Sequence, residues 1–335
     1  MAHFVRLNPS GFTNSGNVSG YFMRHFDFYN PTTHKGDLPV RVLPYNFLDW
    51  FETITPYFKE KAKDEIDFNG LKAGIAYHID KSHITECACI NDNGQIELYE
   101  NFNQYLWCIC YSLFVLFDEN IQKPMLAGNY TGKFNFDNPY VRRAVDVFKN
   151  GFDLLTTYKD WQFFQLPNPE KYNEYDKFYI ERTNGIFTAA MTFILLHEFA
   201  HQYHGHLEYD PTSEESKKDE YTADDYAIDK ISYNFSSERG ATFKFGIVAG
   251  ICSLILLDKS LSGGETHPDT DNRLKVALEK IRLEELDNLW GVASLTFRLW
   301  ASKYNIELDL PPIVDSYKHL FELTLEKVGE MKNNP

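Results

Sequence analysis

Residues 186–201 read IFTAAMTFILLHEFAH, and the rest of the chain is understood outward from this stretch. From Ile186 to Leu196 the residues are apolar on nearly every face of a helix, so the pattern predicts a helix running through the protein interior. At its end His197 and His201 stand four residues apart. On a helix this places them on one face, about 6 Å apart along the axis, where both imidazoles reach one metal ion at bond lengths of about 2 Å. Glu198 lies about 100° round the helix from His197, near enough to touch a water on that ion without binding the metal, as a general base must. The competing reading is a surface helix end on which His197 and Glu198 are merely solvated. Two histidines and a glutamate at the end of a buried helix, however, need partners.

Downstream, residues 217–227 read KKDEYTADDYA and supply them. A catalytic zinc takes three protein ligands and keeps one position open. Glu220 and Asp224 are four apart, and Ala227 and Ile231 continue their helix face inward, so both carboxylates can point at the first helix. Glu220 is the candidate third ligand. Asp224, one turn on, can accept the free imidazole N–H of a ligand histidine and fix its tautomer. The competing reading of this acidic cluster is a first turn that complements the helix dipole. His204 shares the histidine face but lies about 10 Å along the axis from His197, too far for one ion. His204 and His206 are read as solvent-facing or rim residues.

The pairing of HEFAH with EYTAD resembles the gluzincin metallopeptidases, most closely the group that holds the CAAX prenyl endopeptidases and the heat-shock protease HtpX, whose third ligand lies in an E-x-x-A-D helix. Glu220 and Asp224 match that motif, and His267-Pro268-Asp269-Thr270-Asp271-Asn272-Arg273 is similar to the H-P-x-x-x-x-R segment of the same group. The resemblance implies one zinc ion on His197, His201 and Glu220, with Asp224 behind a ligand histidine. It also implies that His267 donates a hydrogen bond to a developing oxyanion and that Arg273 orients substrate or the site's own carboxylates. It spans roughly residues 186–280 and departs from that group in lacking membrane-spanning helices. In size, in the HEFAH motif and in the absence of a leader pattern the chain also resembles the phage-exclusion peptidase Lit, although no Lit motif beyond HEFAH maps onto it. That weaker resemblance implies a regulated, phage-defence protease. The implied function is hydrolysis of peptide bonds in a protein or peptide substrate by a water that Glu198 activates. The alternative is a non-catalytic, zinc-containing scaffold, which would close its metal site with a fourth protein ligand.

The whole sequence bounds these readings. With 335 residues and 43% hydrophobic content it can bury a large core. A net charge of −15, with no basic run to offset it, excludes nucleic acid as a partner. The first thirty residues lack the basic start and apolar stretch of a secretory signal, so the expected location is cytoplasmic. Cysteines in the pairs Cys87/Cys89 and Cys108/Cys110, plus Cys252, lack zinc-cluster spacing and are read as reduced structural thiols. The apolar runs 186–196 and 246–257 fall short of the roughly twenty residues that span a bilayer, so no membrane insertion is expected. A protein that activates or inhibits the site is a further possible partner.

The expected fold is α+β and mainly helical, zincin-like, with a small sheet on the N-terminal side of a helical catalytic core. Residues 1–65, punctuated by Pro31, Pro39, Pro44 and Pro56, are read as an irregular aromatic-rich layer, and 66–335 as the metallopeptidase domain, the two forming one compact unit. Short strand patterns occupy 73–79, 84–90 and 95–99, the last two joined by a hairpin turn at Asn91-Asp92-Asn93-Gly94. A helix is expected over 102–117 and a loop-prone stretch over 128–176. Further helices follow at about 182–207, 217–233, 240–258, 270–286, 287–304 and 315–331.

Overall fold

The computed structural model describes residues 39–54, 74–78, 88–92, 94–156, 161, 166–264 and 267–333. The described chain is α+β and mainly helical, as the sequence patterns require. A 3-10 turn at Pro39–Val42 leads into α1 (Pro44–Ile54), followed by strands β1 (Gly74–His78), β2 (Cys89–Ile90) and β3 (Gln95–Tyr99). The helices that follow are α2 (Glu100–Phe117), α3 (Lys123–Leu126), α4 (Pro139–Thr156), α5 (Glu174–Tyr203), α6 (Ser213–Ser232), α7 (Gly240–Leu257), α8 (Thr270–Ile281), α9 (Leu289–Lys303) and α10 (Tyr317–Asn333). A π-helical turn, Asp118–Gln122, joins α2 to α3.

The three strands form one sheet in the order β1-β3-β2. β2 and β3 pair antiparallel, with Ile90 opposite Ile96. Gly94 closes the turn between them at φ 73°, a left-handed conformation that suits glycine. β1 lies parallel to β3 on its other side. This leaves β2 at the sheet edge, against α5.

Helix α5 is the axis of the fold and packs against α1, α2, α6 and α7. Asn173 caps it by accepting the Asp176 backbone N–H at 2.9 Å, and the run Ile186–Leu196 is buried throughout. Its threonines do not break the apolar surroundings, because Thr188 and Thr192 donate to the carbonyls of Asn184 and Thr188 one turn back, at 2.7 and 2.8 Å.

α7 comes close enough to α5 that only glycine fits at the crossing. A Cβ on Gly246 would meet the Ala189 Cβ at 2.3 Å and its backbone carbonyl carbon at 2.7 Å. Gly246→Ala is expected to cost about 1–3 kcal/mol through forced separation of the two helices. Urea unfolding checks it, and an unchanged midpoint would contradict so close a crossing. By length and composition α7 could cross a membrane, but 72% of it is buried inside the protein, the environment that its apolar sequence matches.

Two sequence expectations are corrected. The stretch 128–176 is not all loop, because 139–156 forms α4. Its inward stripe is Val141, Ala144, Val147, Phe148, Leu154 and Leu155, all buried, and Gly151 lets it approach Cys108 on α2. Within 1–65 the described part, 39–54, is helical rather than irregular. Pro44 opens α1, where its missing N–H costs nothing, and Phe47 and Phe51 meet Phe187 and Phe199 of α5 edge-on. The boundary near residue 65 and the strand residues 84–87 lie outside the described residues. Cys108, Cys110 and Cys252 are buried free thiols. Burial pushes all three up, Cys252 to about 12, which leaves them unreactive.

Candidate active site

The last two turns of α5 and the middle of α6 meet at the floor of a cleft of about 750 Å³. α6 is set in place by a capping box: Thr212 caps the Glu215 backbone N–H, and the Glu215 carboxylate accepts from the Thr212 backbone at 2.9 Å. Ala200 on α5 and Ala223 on α6 are fully buried, and their small side chains allow the two helices to approach.

His197, His201 and Glu220 converge there, offering one donor atom each within 4.8 Å of one another. The His197 and His201 Nε2 atoms are 3.2 Å apart, and each is 3.5 Å from a Glu220 carboxylate oxygen. At zinc bond lengths of 2.0–2.1 Å the edge of a coordination tetrahedron is about 3.3 Å. The donor set and its spacing fit zinc. Among the described residues no fourth His, Cys, Asp or Glu joins this group.

Behind the donors lies a charged scaffold. His197 Nδ1 is 2.9 Å from Asp224 Oδ1, so its Nδ1–H donates to the carboxylate and Nε2 is turned toward the other donors. Arg273 on α8 grips Asp224 with two bonds, Nε to Oδ2 at 2.6 Å and Nη2 to Oδ1 at 2.8 Å, and its Nη1 is 3.3 Å from Glu220. Such a bidentate fork fixes the carboxylate in angle as well as distance. Asn272, the neighbour of Arg273, also donates to Tyr221 at 2.7 Å, tying α8 to α6.

The electrostatics follow from burial and these contacts. Burial opposes charge on Asp224, but Arg273 and His197 outweigh it and hold the carboxyl below its ordinary range. Glu220 is held well below that range in the same way, by His197, Arg273 and His201. Burial disfavours a charged His197, yet Asp224 and Glu220 raise it to about 10, whereas burial and the charge of His197 push His201 down to about 3. Glu198 lies beside the donors at the cleft wall. Burial, with the charge of Glu220, lifts its carboxyl to about 7 against the pull of His197, the Ile90 backbone N–H and Arg273. A general base works best with a pKa near the working pH.

His267 stands at the mouth of the cleft, 62% exposed, with Nε2 3.8 Å from Glu220. Arg273 is buried against Asp224 and Glu220, so of the two roles implied for it the contacts correspond to orienting the site's own carboxylates. His204 is exposed, as expected. His206 lines the cleft but does not face solvent: its side chain is only 8% exposed, and it contacts His201 and Asp219. Sequence reasoning missed this because it weighed only the reach of His204 to the metal and grouped His206 with it. The available signal was Gly205, a helix-stop glycine that turns the chain back.

Comparison with known families gives the class. A peptidase family profile matches residues 96–293, from β3 into α9, well over half of the chain and all of the cleft-floor residues named above, so the protein is a proteolytic enzyme. It belongs to the Peptidase U49 family, a Lit-like family, which bears on the weaker of the two resemblances drawn from the sequence. No curated protein and no solved structure matches the chain.

Proposed function

We propose that the protein is a zinc-dependent endopeptidase of gluzincin type, acting in the cytoplasm on a protein substrate. The observation that carries this reading is the convergence of His197 Nε2, His201 Nε2 and the Glu220 carboxylate at tetrahedral spacing, with Glu198 beside them. His197, His201 and Glu220 would hold the ion. Bound there, zinc would acidify a water and polarise the scissile carbonyl. Glu198 would take the proton from the attacking water and deliver it to the leaving amine. His267, at the cleft mouth, is in reach of an oxyanion developing above Glu220. Asp224 and Arg273 contact the site's own groups and would serve to hold His197 and Glu220 in register.

The scaffold alternative finds no support, since a closed structural site would need a fourth protein ligand and the described residues offer none. The test is chelation followed by metal return on purified protein, read as cleavage of an unfolded protein substrate. Activity should vanish on chelation and return with one equivalent of zinc. Full activity in the chelated protein would refute the reading. His197→Ala should bind no zinc under conditions that load the wild type.

A further inference from the structure

We propose that His206 and Asp219 form an outer clamp on His201, fixing its tautomer and ring orientation for metal binding. This rests on the zinc reading above. The clamp begins with the way α5 ends. The His206 backbone N–H bonds back to the His201 carbonyl at 2.9 Å, and the Gly205 N–H to the Gln202 carbonyl at 3.1 Å. These are the two bonds of a Schellman stop, and Gly205 supplies its left-handed residue at φ 73°. The reversal folds the His206 side chain onto the histidine one turn and a half before it.

The contacts then run in series. His206 Nδ1 is 3.1 Å from His201 Nδ1. His206 Nε2 is 3.3 Å from Asp219 Oδ1, and Asp219 Oδ2 accepts the Tyr209 hydroxyl at 2.5 Å. The His204 ring stacks on the outer face of His206, with ring centroids 5.6 Å apart.

The Asp219 carboxylate can only accept, so its charge beside Nε2 draws the His206 proton to that nitrogen and leaves the lone pair on Nδ1. His201 must then donate from Nδ1, which leaves its own Nε2 lone pair facing His197 and Glu220. The tautomer that a metal ligand needs is thereby set by Asp219 through one intervening ring. The other ligand histidine is backed differently, directly by Asp224 and Arg273. Helix α6 therefore presents Asp219, Glu220 and Asp224 as a set, a central ligand between two anchors. His206 touches no reacting group; it is a positioning residue.

The experiment measures zinc affinity of the full-length metal-free protein by competition with a chromophoric chelator, so that activity is not the readout. His206→Leu keeps bulk but has no acceptor for His201, and its affinity should fall about 10- to 100-fold. His206→Asn places an amide oxygen where Nδ1 stood, and affinity should return to within about threefold of wild type. A second readout needs no variant. Long-range 15N–1H spectra of the zinc-loaded wild type should show His201 protonated at Nδ1 and His206 at Nε2. His206→Leu binding zinc as tightly as wild type, both variants losing affinity equally, or a His201 without a proton on Nδ1 would each overturn the clamp while leaving the zinc site standing. A wild type that binds no zinc would overturn the zinc reading and the clamp with it.

Discussion

Glu198→Gln should keep the fold and the bound zinc and lose nearly all turnover, by about 10²- to 10⁴-fold on the same substrate. Glutamine has the shape of glutamate and can still occupy the cleft wall, but it cannot accept the proton of the attacking water. The wild-type carboxyl is placed for that transfer by burial beside Glu220, which brings it to about 7. The loss should appear in kcat and in kcat/KM alike, because the proton moves only on the way to the transition state. Steady-state kinetics with zinc content and thermal midpoint as controls measure it. An equally active Glu198→Gln protein would leave no role for Glu198 as the base.

The largest effect on stability is expected at Arg273. Its guanidinium is buried and is held by Asp224 and Glu220 together. Arg273→Leu removes the guanidinium that binds both carboxylates and leaves Asp224 and Glu220 with His197 between them. Breaking a buried ion pair from one side costs about 3–5 kcal/mol, because the remaining charge keeps its desolvation penalty. Urea unfolding of the metal-free protein measures this without adding the free energy of metal binding. The sign of the pH dependence is fixed by Asp224. Its carboxyl is depressed in the folded state, so its contribution is complete above the ordinary carboxylate range and is lost as pH falls through the lower folded value. Wild type should therefore lose stability on acidification, and Arg273→Leu should lose less. A loss below about 1 kcal/mol for this variant would contradict the buried pair.

Different parts of the molecule were legible to different degrees. The two site helices could be read because each carries its chemistry at four-residue spacing on an apolar background, HEFAH at the end of a buried run and EYTAD above Ala227 and Ile231. The hairpin of β2 and β3 was legible from its Asn–Gly turn. The parallel pairing of β1 with β3 was not, since it joins residues about twenty apart with no local signal. Helix α4 carried its pattern in the open, from Val141 to Leu155, but Gly151 and the aromatic residues around it read as loop. Only the packed partner, Cys108, explains why a glycine suits that helix. The gluzincin motifs located Arg273 but left two roles open, and its burial beneath Asp224 depended on how α8 returns to α6. His206 shows the same limit most sharply. Helix rise sufficed to exclude His204 as a ligand, whereas the contact of His206 with His201 depends on the Schellman reversal at Gly205.

The central claim is that two imidazoles and one carboxylate hold a zinc with a position left open for chemistry. X-ray diffraction from zinc-loaded crystals, recorded above and below the zinc absorption edge, tests it most directly. The account predicts one anomalous peak about 2 Å from His197 Nε2, His201 Nε2 and a Glu220 oxygen, with Glu198 outside bonding distance and no fourth protein ligand. A peak elsewhere, or one closed by a fourth side chain, would contradict it.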